Sequence, residues 1–85
     1  MNKYSCPCCE LLTFDEPLEG TYNICPVCGW EDDEIQLKNP NYEGGANKVS
    51  LYQAKENFKI IGAIDNEAIK YSRKPNIDEI PKGKK

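Results

Sequence analysis

The sequence lacks histidine altogether and contains no long apolar run. Without histidine, and with no spacing that pairs a nucleophile with a base, we expect no catalytic activity. No stretch approaches the roughly 20 apolar residues needed to cross a bilayer, and the first six residues lack the apolar core of a signal peptide. We therefore expect a cytoplasmic protein that does not associate with membranes.

Positively charged residues are outnumbered by negatively charged ones. The chain has 11 Lys and Arg residues against 14 Asp and Glu residues, which gives a net charge of -3. Binding one divalent cation through four thiolates would make the protein two charges more negative. Because nucleic-acid binding depends mainly on cationic contacts to phosphate, this balance argues against nucleic acid as a partner.

The chain is short enough to form only one domain. Its 85 residues are 39% hydrophobic and 29% charged, which is typical of a soluble globular protein. Such a small domain buries too little apolar surface to be stable on burial alone, so an additional cross-link is expected. The five cysteines are odd in number and closely spaced, and without an export signal they favour reduced thiols that bind a metal over disulfides. We expect the protein to be a monomer.

The cysteines form two pairs with the spacing of a zinc site. Cys6 and Cys9 are separated by two residues, as are Cys25 and Cys28, and 15 residues lie between the pairs. Zinc accepts four thiolates in a tetrahedron, and four protein ligands leave no position open for water or substrate. The spacing thus predicts a structural zinc ion bound by these four cysteines, although iron could occupy the same cage.

Alignment of the two pairs identifies the extra cysteine. When Cys6 is placed on Cys25, and Cys9 on Cys28, Cys8 falls on Val27 and becomes the predicted non-ligand, a small packed side chain. Two alternatives remain, in which Cys8 replaces Cys6 or Cys9 as a ligand, or takes part in a redox-active dithiol. After the second pair, Gly29 suits the positive φ that such a turn often needs, whereas Glu10 at the equivalent position departs from that pattern.

The segment between the pairs predicts a hairpin. Residues 11–14 and 21–24 are short apolar or β-prone stretches, and Pro17 and Gly20 lie where a turn would require them. We expect the two stretches to pair, with both cysteine pairs at one end of the hairpin.

Helical signals lie in the second half of the chain. A main helix is predicted from an N-cap at Ser50 to a stop at Gly62. Its apolar stripe, which would cover the hairpin, consists of Leu51, Ala54, Phe58 and Ile61. A shorter helix is predicted to begin at Asp65 and to end before Pro75. The predicted fold is therefore small α+β: a zinc-knuckle β-hairpin of the zinc-ribbon type packed against one main helix, with a shorter C-terminal helix. Residues 1–74 would form the zinc-binding domain and residues 75–85 an extended or flexible tail.

Two further segments allow a functional and a structural interpretation. An aromatic ring and four carboxylates follow the second cysteine pair and could form a surface for a basic partner; these residues are Trp30, Glu31, Asp32, Asp33 and Glu34. In the alternative, the tryptophan packs over the metal turn and the acids cap a helical turn at residues 34–37 or are solvated. Residues 44–47 resemble a phosphate-binding loop only loosely, and turn geometry explains them better.

These motifs together resemble the bacterial cysteine-rich CPCC family. The resemblance covers roughly residues 4–63 and rests on the two cysteine motifs, the segment that begins Trp30-Glu31-Asp32-Asp33, the Gly44-Gly45-Ala46-Asn47 loop and the capped helix. Glu10 stands where glycine would be expected in that family. The resemblance implies a small, stand-alone, zinc-binding bacterial protein of a family without an established activity. It also implies a role among accessory or toxin-neutralising proteins.

The leading functional hypothesis is a zinc-stabilised module that binds a protein partner through the acidic segment after the second cysteine pair. A zinc-ribbon nucleic-acid-binding protein is one alternative. A thiol redox protein that depends on Cys8 is the other.

Overall fold

The first cysteine pair lies at the turn of a short β-hairpin. In the computed structural model, which describes residues 3–81, strand β1 (Tyr4–Ser5) pairs antiparallel with strand β2 (Leu12–Phe14), with a register shift along the pair. The Cys6 N–H donates to the carbonyl oxygen of Leu11 at 2.8 Å. This bond extends the pairing to the edge of the first knuckle, which is the turn that contains Cys6 and Cys9. The chain therefore reverses within the cysteine motif itself.

The second cysteine pair, Cys25 and Cys28, lies in a separate turn, the second knuckle. An isolated antiparallel bridge joins Ile24 to Glu31, on either side of this pair. Our prediction that residues 11–14 pair with residues 21–24 is therefore wrong. Each knuckle turn reverses the chain locally. The residues before each knuckle therefore pair with the residues that follow the same knuckle.

Two α-helices follow, and side-chain caps determine where they begin. Helix α1 spans Glu34–Lys38 and helix α2 spans Leu51–Ile61. The Asp33 side chain accepts N–H groups of the first turn of α1, and Ser50 does the same for α2. Gly62 ends α2 with a φ of +77°. The predicted helical turn and the predicted start and stop of the main helix are confirmed.

Helix α2 contributes its apolar side to a core that includes the cysteines. Leu51 and Ala54 are buried and Phe58 is half-buried, whereas Ile61, predicted on the same stripe, is 39% exposed because it lies in the last turn of the helix. The remaining buried members of this core are Cys6, Cys8, Phe14, Cys25, Val27, Cys28, Trp30, Ala63, Ile64 and Ala68.

The predicted C-terminal helix is present as a 3₁₀ helix that spans Glu67–Tyr71. The Asp65 carboxylate accepts an N–H group of its first turn at 2.9 Å, as expected for a residue that caps this segment. Backbone N–H groups of Ile64 and Arg73 donate to carbonyl oxygens of the second knuckle. The segment is therefore attached to the second knuckle on both sides of the 3₁₀ helix.

Part of the predicted tail is folded. A second 3₁₀ helix, Ile77–Glu79, contacts β2. The Arg73 guanidinium donates two hydrogen bonds to the Glu79 carboxylate, at 2.9 and 2.7 Å. Residues 82–85 of the predicted tail lie outside the described residues, and the domain boundary at residue 74 stays a prediction.

Together these elements make a small α+β fold. It consists of two knuckle hairpins, one main helix and short helical segments, gathered around one core. Within residues 3–81, no helix has the length and apolar character needed to cross a membrane.

Candidate metal centre

The two knuckles have the same backbone hydrogen bonds. In the first, the Glu10 N–H donates to the Cys6 carbonyl oxygen at 2.8 Å, and in the second the Gly29 N–H donates to the Cys25 carbonyl oxygen at 2.9 Å. The Cys25 N–H also donates to the Trp30 carbonyl oxygen, as the Cys6 N–H does to its own partner across the turn. This equivalence supports the alignment by which the ligands were predicted.

The four predicted ligand sulfurs converge on one point. Cys6, Cys9, Cys25 and Cys28 have Sγ atoms that all lie within 4.8 Å of one another. The Cys6–Cys28 and Cys9–Cys25 sulfur pairs are 3.7 and 3.8 Å apart. A tetrahedral ion with Zn–S bonds of about 2.3 Å requires sulfurs about 3.8 Å apart. The arrangement therefore fits a tetrahedral metal ion. None of the five cysteines forms a disulfide.

The four sulfurs shift one another's pKa values strongly. Hydrogen bonds, first of all from Cys28, lower the pKa of the Cys25 thiol far below its usual value. Hydrogen bonding to Cys25 raises the pKa values of the Cys6 and Cys28 thiols well above theirs. Four thiolates so close together repel one another unless a cation balances them, so the cluster retains protons until a metal displaces them.

Two further groups donate hydrogen bonds toward the sulfurs. The Thr13 hydroxyl lies 3.1 Å from Cys25 Sγ, and the Cys8 N–H donates to Cys6 Sγ at 3.4 Å. Such donors orient and stabilise thiolate ligands. Sequence reasoning missed Thr13, because a wrong strand pairing gave no indication of which side of β2 faces the metal site.

Cys8 lies beside the cluster but is not part of it. Its side chain is 4% exposed and packs in the core with the apolar residues. Among the described residues, the group of side chains positioned to hold a metal consists of the other four cysteines alone. This placement agrees with the interpretation of Cys8 as a small packed side chain.

The acidic segment after the second knuckle does not form one open surface. Trp30, Asp32 and Asp33 are 0, 1 and 5% exposed, whereas Glu31 is half-buried and Glu34 is exposed. Three of the five residues predicted as a partner surface are therefore inaccessible to a partner. The prediction is corrected on this point, since these side chains are used within the fold.

Asp32 and Asp33 each bind backbone N–H groups. One Asp32 carboxylate oxygen accepts the N–H groups of Glu19, Gly20 and Thr21 at 2.8–3.1 Å, together with the Thr21 hydroxyl at 2.9 Å. Asp32 thus attaches the connection between the two knuckles to the second knuckle. Asp33 caps α1 and also accepts the Ala46 N–H at 2.8 Å.

The glycine-rich loop is attached to the same region. Asn47 is 3% exposed; its side chain exchanges two hydrogen bonds with the backbone of Glu31, both 2.8 Å, and donates to Gln36 at 2.9 Å. A Cβ on Gly45 would lie 2.6 Å from an Asp33 oxygen, so only glycine fits there. The loop therefore has a structural role, as the sequence interpretation favoured, but Asn47 binds a distant strand segment and not its own neighbours.

Comparison with known protein families agrees with the resemblance suggested by the cysteine motifs. The model of the family described as Cysteine-rich CPCC matches residues 4–79 of the chain. The match extends past the resemblance noted in the sequence, into the second 3₁₀ helix. No curated protein matches the chain. Because the family model spans most of its length, the chain belongs to the cysteine-rich CPCC family.

Proposed function

We propose that this member of the cysteine-rich CPCC family is a non-catalytic, zinc-stabilised module that acts by binding another protein. The observation that carries the proposal is the closed set of four cysteine sulfurs, with spacing that fits tetrahedral coordination. A metal with four protein ligands has no open position for a substrate, so its role is to hold the fold together. Because two knuckles would surround one such ion, we also propose that the fold is zinc-ribbon-like.

Zinc is the proposed ion because it takes four thiolates in a tetrahedron without redox chemistry. The donors present, Thr13 and the Cys8 N–H, would stabilise the thiolate ligands without supplying a fifth ligand. Iron in the same cage would colour the protein, whereas zinc would leave it colourless. Free thiols in all five positions fit a reducing compartment, and we propose a cytoplasmic location.

Large apolar side chains at the surface support a binding role. Ile60, Tyr71 and Ile77 are 80, 71 and 88% exposed. Ile61 and Ile69 are also partly exposed and line one apolar groove, and contiguous exposed apolar surface of this kind marks interaction sites. The net charge of -3 disfavours nucleic acid as the alternative partner.

The test is affinity capture with the zinc-loaded protein from an extract of the parent organism, with and without nuclease. We expect a protein that is retained after nuclease treatment and that binds again when purified, with an affinity that changes little with salt. Recovery of nucleic acid alone, with binding that falls steeply as salt rises, would contradict the proposal. Thiol–disulfide turnover that is lost in Cys8→Ser would also contradict it.

A further inference from the structure

An apolar groove lies between the end of α2 and the chain that follows the first 3₁₀ helix. Its volume is about 360 Å³, and its lining includes the apolar residues Val27, Phe58, Ile61 and Ile69 and the cationic residues Arg73 and Lys74. Val27 belongs to the second knuckle, so one wall of the groove is fixed by the proposed metal site. The groove is thus part of the surface that the metal would hold in shape.

The apolar lining is incompletely covered within the chain. Ile61 is 39% and Ile69 47% exposed, although both line the same groove. Gly62, at the end of α2, also lines the groove, and a Cβ placed on it would meet no atom of the described residues within 4 Å apart from its chain neighbours. This part of the groove is therefore open.

The polar edge of the groove is cationic. No carboxylate is among its lining residues, whereas Arg73 and Lys74 both are. Glu79 holds Arg73 through two hydrogen bonds. Among residues 3–81, no carboxylate forms an ion pair with the Lys74 ammonium group. Lys74 therefore gives this edge one ammonium group that could pair with a carboxylate of an occupant.

We propose that this groove binds a segment of a partner protein in which a large apolar side chain stands next to an aspartate or glutamate. The apolar side chain would lie against Ile61 and Ile69, and the carboxylate would pair with Lys74. An anionic membrane is a poorer occupant, because the net negative charge of the whole protein opposes adsorption to anionic lipid. The inference rests on the proposed binding function and assigns it to one surface.

The experiment is selection of a phage-displayed library of random peptides on the zinc-loaded protein, followed by titration of a selected synthetic peptide by fluorescence anisotropy. We expect enrichment of peptides with a large apolar residue beside an acidic one. Ile69→Glu should weaken binding about tenfold, and Lys74→Gln about threefold. Ile35→Glu and Lys38→Gln on α1 are matched controls, since Ile35 is 59% exposed and neither residue lines the groove; they should leave the affinity unchanged.

Four results would overturn the groove assignment: no enrichment over bare support, enrichment of basic peptides, equal affinity for the groove and control variants, or preferential cosedimentation with phosphatidylglycerol vesicles. Equal affinity for all variants would reject the groove yet leave the binding module intact, so the two failures are distinguishable. Zinc content, measured by native mass spectrometry, checks that each variant is folded. If Ile69→Glu loses its metal, the peptide affinities of Lys74→Gln and Lys38→Gln decide whether the groove is the binding site.

Discussion

Glu10 and Gly29 occupy equivalent positions in the two knuckle turns, and both have left-handed backbone torsions, with φ of +66° and +90°. Glycine adopts this conformation freely, whereas a residue with a Cβ is strained there by about 1–2 kcal/mol. Glu10 also forms an ion pair with Lys55, 3.3 Å between nitrogen and oxygen, at the protein surface. Exposed pairs of this kind contribute only about 0–1 kcal/mol.

We expect Glu10→Gly to be more stable than Glu10→Ala by about 1 kcal/mol, because both remove the carboxylate and only glycine relieves the torsional strain. Thermal unfolding of the zinc-saturated proteins measures the difference. Gly29→Ala provides the reciprocal test and should destabilise, since its Cβ would also lie 2.9 Å from the Cβ of Ala68. Equal stability of Glu10→Gly and Glu10→Ala would show that the turn carries no strain at this position.

Asp33 should give stability that depends on pH. Three backbone N–H donors, with that of Ala46 the largest influence, hold the pKa of its carboxyl below the usual value of about 4. A lowered folded-state pKa means that the ionised form contributes stability above the unfolded-state pKa. That contribution is lost as the pH falls through the folded-state value.

Asp33→Asn should therefore destabilise the protein by about 1–2 kcal/mol near neutral pH, because the amide keeps one acceptor and loses the other. The gap between the two proteins should stay constant down to about pH 5 and begin to narrow as the pH approaches about 4. Urea denaturation at saturating zinc measures the gap over the pH range in which both proteins keep their zinc, since the fold should depend on the ion. Glu34→Gln, at an exposed ion pair with Lys38, is the control and should change little. A gap independent of pH would contradict the role of the Asp33 charge.

At the scale of elements, the features that were predicted correctly depend on adjacent residues. The Ser50 cap, the Gly62 stop and the Asp33-capped helix each follow from side chains within one turn of the structure they determine. The convergence of the four cysteine sulfurs also follows from local sequence, because the two cysteine motifs have the same internal spacing. The strand pairing was wrong because the short stretch between the pairs offered two possible partners, and only the reversal inside each knuckle distinguishes them.

The internal roles of Asp32 and Asn47 could not be predicted either. Both side chains bind backbone groups more than ten positions away, and no local pattern indicates such a distant partner. A run of carboxylates predicts an exposed acidic surface, because most acidic residues are exposed. Here the N–H groups of the connection between the knuckles donate to one oxygen of the Asp32 carboxylate, which offsets part of the cost of its burial.

Asn47 connects three elements and should be costly to remove. Its three side-chain hydrogen bonds join the glycine-rich loop to Glu31 and to α1 through Gln36. Asn47→Ala should destabilise by about 3 kcal/mol, because buried backbone groups of Glu31 would lose their partners. Urea denaturation of the zinc-loaded proteins compares it with Asn41→Ala, an exposed position where a change within about 0.5 kcal/mol is expected. Equal stability of the two variants would contradict a structural role for the loop.

At the scale of the whole molecule, the metal site and the core are one unit. Three of the predicted ligands, Cys6, Cys25 and Cys28, are buried core residues and the fourth, Cys9, packs against them; Trp30, Leu51 and Ala54 belong to the same cluster. A chain of 85 residues gains little stability from apolar burial alone. Structural zinc contributes apparent binding energies of about 10–16 kcal/mol, which exceeds the usual net stability of a small domain. The fold should therefore depend on the ion.

The ligand assignment and the dependence of the fold on metal can be tested together. Native mass spectrometry measures bound zinc in the wild type and in single serine replacements of all five cysteines, and circular dichroism follows the fold before and after chelation. We expect one zinc per chain in the wild type and in Cys8→Ser, no tightly bound zinc in the other four variants, and unfolding of the wild type when the ion is removed. Loss of zinc in Cys8→Ser, full binding in Cys6→Ser or Cys9→Ser, or a fold that survives chelation unchanged would contradict the account.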